Sequence, residues 1–107
     1  MKLYHHVKTA AEAERIATAG FTTEDRVMMT LPSGIQMLGI IFSTEMDPRS
    51  HFGVELNLPL NPDFLKRHEV KGPALGVRYF LLPLDVAAFG QMSRVPDEQF
   101  KRARRRN

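Results

Sequence analysis

Two adjacent histidines, His5 and His6, are the first side chains with chemistry to offer. A neutral imidazole can bind a ligand, pass a proton or ligate a metal. They sit in Leu3-Tyr4-His5-His6-Val7, where Leu3, His5 and Val7 alternate with Tyr4, His6 and Lys8. That alternation reads as a short strand with two distinct faces. Strand neighbours point to opposite sides, so the pair cannot chelate one ion. His51 and His68 stand at no ligand-like spacing from it, and no metal site is expected. His5 shares a face with Leu3 and Val7, as either a hydrogen-bonded core residue or a ligand-facing one. Among the carboxylates, Glu55 lies between Val54 and Leu56 on a predicted strand, as either a catalytic group or a solvent-facing one. Glu45 and Asp47 belong to a polar loop. The chain has no glycine-rich phosphate loop and no serine in a nucleophile elbow.

A third group is electrostatic. Lys101, Arg102, Arg104, Arg105 and Arg106 crowd into the last seven residues. The chain carries 15 Lys and Arg against 12 Asp and Glu, so without this run the body is close to neutral. Such a run either binds phosphate or another anion in a salt-sensitive manner, or is a solvated terminus. Only Phe100 is near it, so aromatic interleaving for base stacking is absent. Arg78, beside Tyr79, either blunts an edge strand or lines an anion-binding cleft.

The elements that position these residues are legible in part. Thr9 offers a helix-capping hydroxyl, with Glu12 three residues on as a capping-box partner. An Ala-rich helix follows over residues 10–19. Gly20 suits the left-handed stop, and Phe21 folds back on the last turn. Residues 27–31 and 35–42 read as strands joined by the turn Pro32-Ser33-Gly34, a hairpin whose second strand is apolar on both faces. Three of the six methionines, Met28, Met29 and Met37, fall in these strands and read as core. Residues 51–58 and 74–82 read as further strands. Asn61-Pro62-Asp63 starts a short helix to about His68. Residues 83–89 suit a helical turn and 92–95 a short strand. Pro96-Asp97-Glu98 opens a terminal helix whose basic end complements the helix dipole.

The tally predicts an α+β fold, a small mostly antiparallel sheet with the well-capped helix 10–19 on one face. Residues 1–100 read as one domain and 101–107 as a basic tail. Without cysteine there are no disulfides and no thiolate zinc sites, which suits a reducing compartment. No apolar run approaches the roughly 20 residues of a membrane span, and the N-terminus lacks the apolar stretch of a signal peptide. A cytoplasmic protein is expected.

The order of motifs resembles small ADP-ribosyltransferase-like domains. Leu3-Tyr4-His5, the capped helix and Gly20-Phe21 resemble the family's opening. Gly53-Val54-Glu55-Leu56-Asn57-Leu58-Pro59-Leu60 resembles its Gly-Val-aromatic-Leu-Ser-x-x-Pro-Leu strand, and residues 74–84 resemble the strand that follows. The resemblance covers about half the chain. It implies a cleft for NAD or a related nucleotide, held by Tyr4, His5, His6, Gly53 and Asn57. It further implies His5 on the nicotinamide ribose, an aromatic stacked on nicotinamide, and a late polar group supporting the reacting ribose. Glu55 stands where the aromatic is expected, and Gln91 lies near the third position, so the implied catalytic set is His5, Glu55 and Gln91. The chain is then either an active transferase or a catalytically degenerate one. The alternative is a non-enzymatic module that engages nucleic acid or a protein through its basic tail or a sheet edge.

Overall fold

The structure, a computed structural model, describes residues 1–105. They form seven strands: β1 (Lys2–Val7), β2 (Val27–Thr30), β3 (Gln36–Ser43), β4 (Phe52–Asn57), β5 (Glu69–Val70), β6 (Tyr79–Leu82) and β7 (Gln91–Arg94). The helices are α1 (Ala10–Ala19), α2 (Pro62–Arg67), α3 (Leu84–Ala87) and α4 (Asp97–Arg105), with a 3-10 turn at Thr23–Asp25. The sheet runs β5-β6-β3-β1-β4-β7, with β2 paired to β3, and every pairing is antiparallel. The fold is α+β, as the sequence predicts.

Local chemistry explains the first segment. The Thr9 hydroxyl accepts from the Glu12 N–H at 3.1 Å and starts α1. Gly20 ends it at φ 84°, a left-handed conformation that glycine takes without strain, and its N–H closes on Ile16 O at 2.8 Å. α1 then buries Ala13 and Ile16 against β1, β4 and β7. A 3-10 turn connects α1 to β2, because Asp25 accepts from Thr22 N at 2.7 Å and pairs with Arg15 at 2.8 Å.

The sheet is covered on both faces. On one, α1, α2 and α3 pack with Leu3, Ile40, Phe42, Leu56, Phe80 and Leu82. On the other, Tyr79, Leu81 and Val70 form a smaller cluster with Ile41, Met29 and Met37. Met28 departs from its expected core position and is exposed. The apolar run 74–82 is a strand only over Tyr79–Leu82, because Gly76 takes φ 83° and turns the chain just before it. Residues 69–70, between α2 and the next strand, form β5. Arg78 pairs with Glu69 of β5 at 2.9 Å and lies 5.1 Å over the Phe80 ring. The basic run is, through Arg105, the C-terminal half of α4. Arg106 lies outside the described residues.

Candidate functional site

The register of β1, β4 and β7 decides which candidate residues can meet. Lys2 pairs with Asn57 and Asn57 with Gln91; Tyr4 pairs with Glu55 and Glu55 with Ser93; His6 pairs with Gly53. Paired residues share a face, and the face alternates along each strand. Tyr4, His6, Gly53, Glu55, Asn57 and Gln91 therefore share one face. His5 pairs with Val54 and stands on the other, beneath α1.

His5 is 8% exposed. Its ring meets Phe21 edge-on at 5.0 Å and Phe42 at 5.9 Å. Its Nδ1 lies 2.8 Å from Ile41 O. A carbonyl only accepts, so Nδ1 carries the proton and the ring is the Nδ1–H tautomer. β1 meets β3 in register only at Tyr4 and Ser43, so this side-chain bond ties together strands whose ladder is short. Burial pushes the imidazole below its ordinary pKa, and the Ile41 carbonyl opposes that shift. The proposed catalytic set does not converge: Glu55 and Gln91 lie across the sheet from His5.

His6 and Tyr4 stand at one end of a groove on the opposite face. Their cleft, about 180 Å3, also has Ser43, Asp47 and Tyr79 in its wall. Asp47 and Tyr79 pass into a second cleft of about 490 Å3 that includes Met46 and Ala103. Met46 and Ala103 pass into a third, about 210 Å3, with Gln99 and Arg102. The three clefts adjoin through these shared wall residues and line a groove between residues 44–50, residues 71–77 and α4. Two tyrosines and a histidine mark one end and an exposed arginine the other. Sequence reasoning missed Tyr79, Met46 and Gln99, because only the fold brings these segments together.

Each wall is fixed by a specific contact. The Asp47 N–H donates to His6 Nε2 at 2.9 Å, so Nε2 is unprotonated and His6 is a neutral Nδ1–H ring. Burial lowers the His6 pKa, with Asp47 opposing. Arg49 holds the Asp47 carboxylate through Nε at 3.1 Å and Nη2 at 3.0 Å and keeps its pKa low. The Tyr79 phenol accepts from the Ala74 N–H at 3.2 Å and orders residues 71–77. Burial, and then the Glu55 carboxylate to which it donates, raise the Tyr4 pKa.

α4 closes the groove through one residue. Phe100 is fully buried against Gly53 and the His6 ring. Gly53 is required there: a Cβ would come within 2.8 Å of the His5 carbonyl oxygen and 3.1 Å of Phe100. Gly53 thus seats the helix and does not touch the groove. Arg104 donates to Ser50 O at 2.8 Å, Lys101 pairs with Glu98 at 3.5 Å, and Arg102 and Arg105 are exposed without an ion pair among the described residues. Asn57 and Gln91 are exposed on the open half of the same face, away from the groove wall.

Of the other histidines, His68 Nδ1 donates to Phe64 O at 2.8 Å and its ring stacks on Phe64, while His51 is exposed. Among the described residues, no three His, Cys, Asp or Glu side chains gather as a metal site. No described helix is long and apolar enough to cross a membrane. Comparison with protein-family models, with curated proteins and with solved structures gives no match for this chain.

Proposed function

We propose that this chain is an ADP-ribosyltransferase-like domain that binds NAD or a related nucleotide in the groove and does not transfer it. The observation that carries this reading is the chain of adjoining clefts that links an aromatic end, Tyr4, His6 and Tyr79, to a cationic end, Arg102. A nucleotide needs both: a flat ring stacks on or edges against aromatic side chains, and phosphate takes a guanidinium. The residues suit holding such a ligand. They do not suit transfer, because His5 is enclosed on the far face with its proton committed to Ile41 O. Bound NAD would bring a nicotinamide leaving group; the chain's own residues here stack, hydrogen-bond and neutralise charge.

The test is an NMR titration with NAD and with ADP-ribose. Shifts are expected at Tyr4, His6, Ser43 and Tyr79. Arg102→Glu should weaken binding by on the order of tenfold, since an exposed charge-assisted contact is worth about 1–2 kcal/mol. Absence of shifts at millimolar concentration of both ligands would overturn the reading.

A second reading rests on Arg102 and Arg105, which the anchored helix presents at a fixed place. There α4 docks on nucleic-acid phosphate. Binding of a labelled single-stranded oligonucleotide should then fall linearly with salt on logarithmic axes, with a slope of about −0.7 per contact. Arg105→Glu separates the two readings. It should weaken the oligonucleotide and leave NAD unaffected, because Arg105 is outside the groove wall.

A further inference from the structure

The sheet has three strands with an unpaired edge among the described residues, and they are not protected alike. β5 is two residues long and bears the Glu69–Arg78 ion pair. β7 carries Arg94, which pairs with Glu14 of α1 and Asp97 of α4. Short length and charge are the usual guards of a sheet edge. β2, four residues long like β7, carries no charge. It pairs only with β3, and residues 27–44 contain no Asp, Glu, Lys or Arg. Three of its four side chains are exposed, Val27 at 41% and Met28 at 54%, while Met29 packs on the smaller cluster. Leu38, opposite Met28 on β3, is 43% exposed. Met28 and Leu38 thus form an apolar pair on the outer part of the sheet.

We propose that β2 is a self-association edge, through which two copies of this chain pair antiparallel about a two-fold axis at Met28. The occupant follows from the sequence of the edge. Around such an axis Met28 faces Met28 of the second copy, Val27 faces Met29, and Arg26 faces Thr30. A charge at the centre would face its own like, which is the reason a charged edge cannot pair with itself. Here the first charge, Arg26, meets a hydroxyl. The same operation places two Met28–Leu38 pairs side by side on one face and joins the two sheets. The contact is small, so the dimer is weak and concentration-dependent. This inference is independent of the nucleotide reading, since β2 lines none of the groove.

Sedimentation velocity from about 10 µM to about 1 mM brackets an interface of this size. The weight-average sedimentation coefficient should rise towards the dimer value over that range. Met28→Lys sets two ammonium groups face to face and should hold the protein monomeric throughout. A monomer at every concentration would overturn the proposal, as would a Met28→Lys variant that associates like the parent. A second measurement needs no variant. A mixed sample of labelled and unlabelled chains should give intermolecular NOEs between Val27 and Met29 and from Met28 to itself. Intermolecular NOEs confined to other segments would equally overturn it.

Discussion

Phe100→Ala should undock α4 before it unfolds the domain. Phe100 is the only buried side chain of a nine-residue helix whose other residues, Ala103 apart, are charged or polar. Isolated helices below about 12–15 residues are marginal in water, so α4 persists because it is docked. Truncating a fully buried Phe typically costs about 3–5 kcal/mol. The remaining anchors are weaker. The Arg104–Ser50 hydrogen bond contributes about 0.5–1.5 kcal/mol, and the exposed Arg94–Asp97 pair at most about 1 kcal/mol. The lost term is at least as large as the other anchors together, so the equilibrium constant for docking should fall by about two to nearly four orders of magnitude. Hydrogen exchange resolves this directly. Protection should collapse across Asp97–Arg105 while the central strand residues Ile40, Leu81 and Leu82 lose far less. Undocking also removes Gln99, Arg102 and Ala103 from the groove, so NAD binding should fall with the helix. Equal loss of protection in α4 and in β6 would refute the argument, because α4 would then be part of the cooperative core. Retained NAD affinity with α4 released would refute the groove.

Three further perturbations separate scaffold from site. A Cβ at Gly72 would overlap the Tyr79 ring, so Gly72→Ala should displace that ring, cost about 1–3 kcal/mol in a urea melt and abolish the ligand shifts at Tyr79. His5→Phe keeps the ring packing but leaves Ile41 O without its donor. It should cost about 1–3 kcal/mol while the NAD dissociation constant stays unchanged. Both His5 and His6 have pKa values lowered by burial, so the folded state binds fewer protons than the unfolded chain near pH 6. Stability conferred by the neutral rings is present above the unfolded value of about 6.5 and is lost as pH falls through the folded values, by at most about 1.4 kcal/mol per pH unit for each ring. Urea midpoints should therefore drop between pH 7 and pH 5, before Asp25, Asp47 and Glu69, whose pKa values are depressed, lose theirs at lower pH.

What was legible in the sequence was what local chemistry determines. Thr9, Glu12, Gly20 and the alternation of residues 3–8 specify β1 and α1 without help from the rest of the chain. The hairpin and α2 follow from Pro32-Ser33-Gly34 and Asn61-Pro62 in the same way. β5 was not legible, since two residues, Glu69 and Val70, become a strand only when β6 lies beside them. The basic run looked like an appendage because a single Phe100 gives no periodicity, yet one buried ring against one glycine docks the helix. Tyr79 looked like part of a long apolar strand. Its place in the groove depends on Gly72 and Gly76, whose effect on residues 71–77 is tertiary.

The parity of the strands bears hardest on function. His5 and Glu55 read as partners when motifs are laid end to end, but register pairs Glu55 with Tyr4. Only a slip of β1 against β4 by an odd number of residues would bring His5 and Glu55 to one face. Such a slip turns one strand's entire apolar set outward. If β4 turned, Val54 and Leu56, both fully buried, would face solvent; if β1 turned, Leu3 would. At about 1.5–3 kcal/mol for each such side chain, turning β4 costs about 3–6 kcal/mol from these two residues alone. Turning β1 costs less in apolar burial but also breaks the His5 bond to Ile41 O and drives the half-buried Tyr4 and His6 into the helix-covered face. Either route consumes much of the stability of a domain this size, about 5–15 kcal/mol. A His5–Glu55 catalytic pair is therefore incompatible with this register, whereas Tyr4, His6 and Tyr79 reach the groove in it without any rearrangement. Binding without transfer is the reading that parity supports. Its direct check is a nicotinamide-release assay on the unmodified chain at saturating NAD: release above the uncatalysed rate would mean that the chemistry uses residues other than this pair.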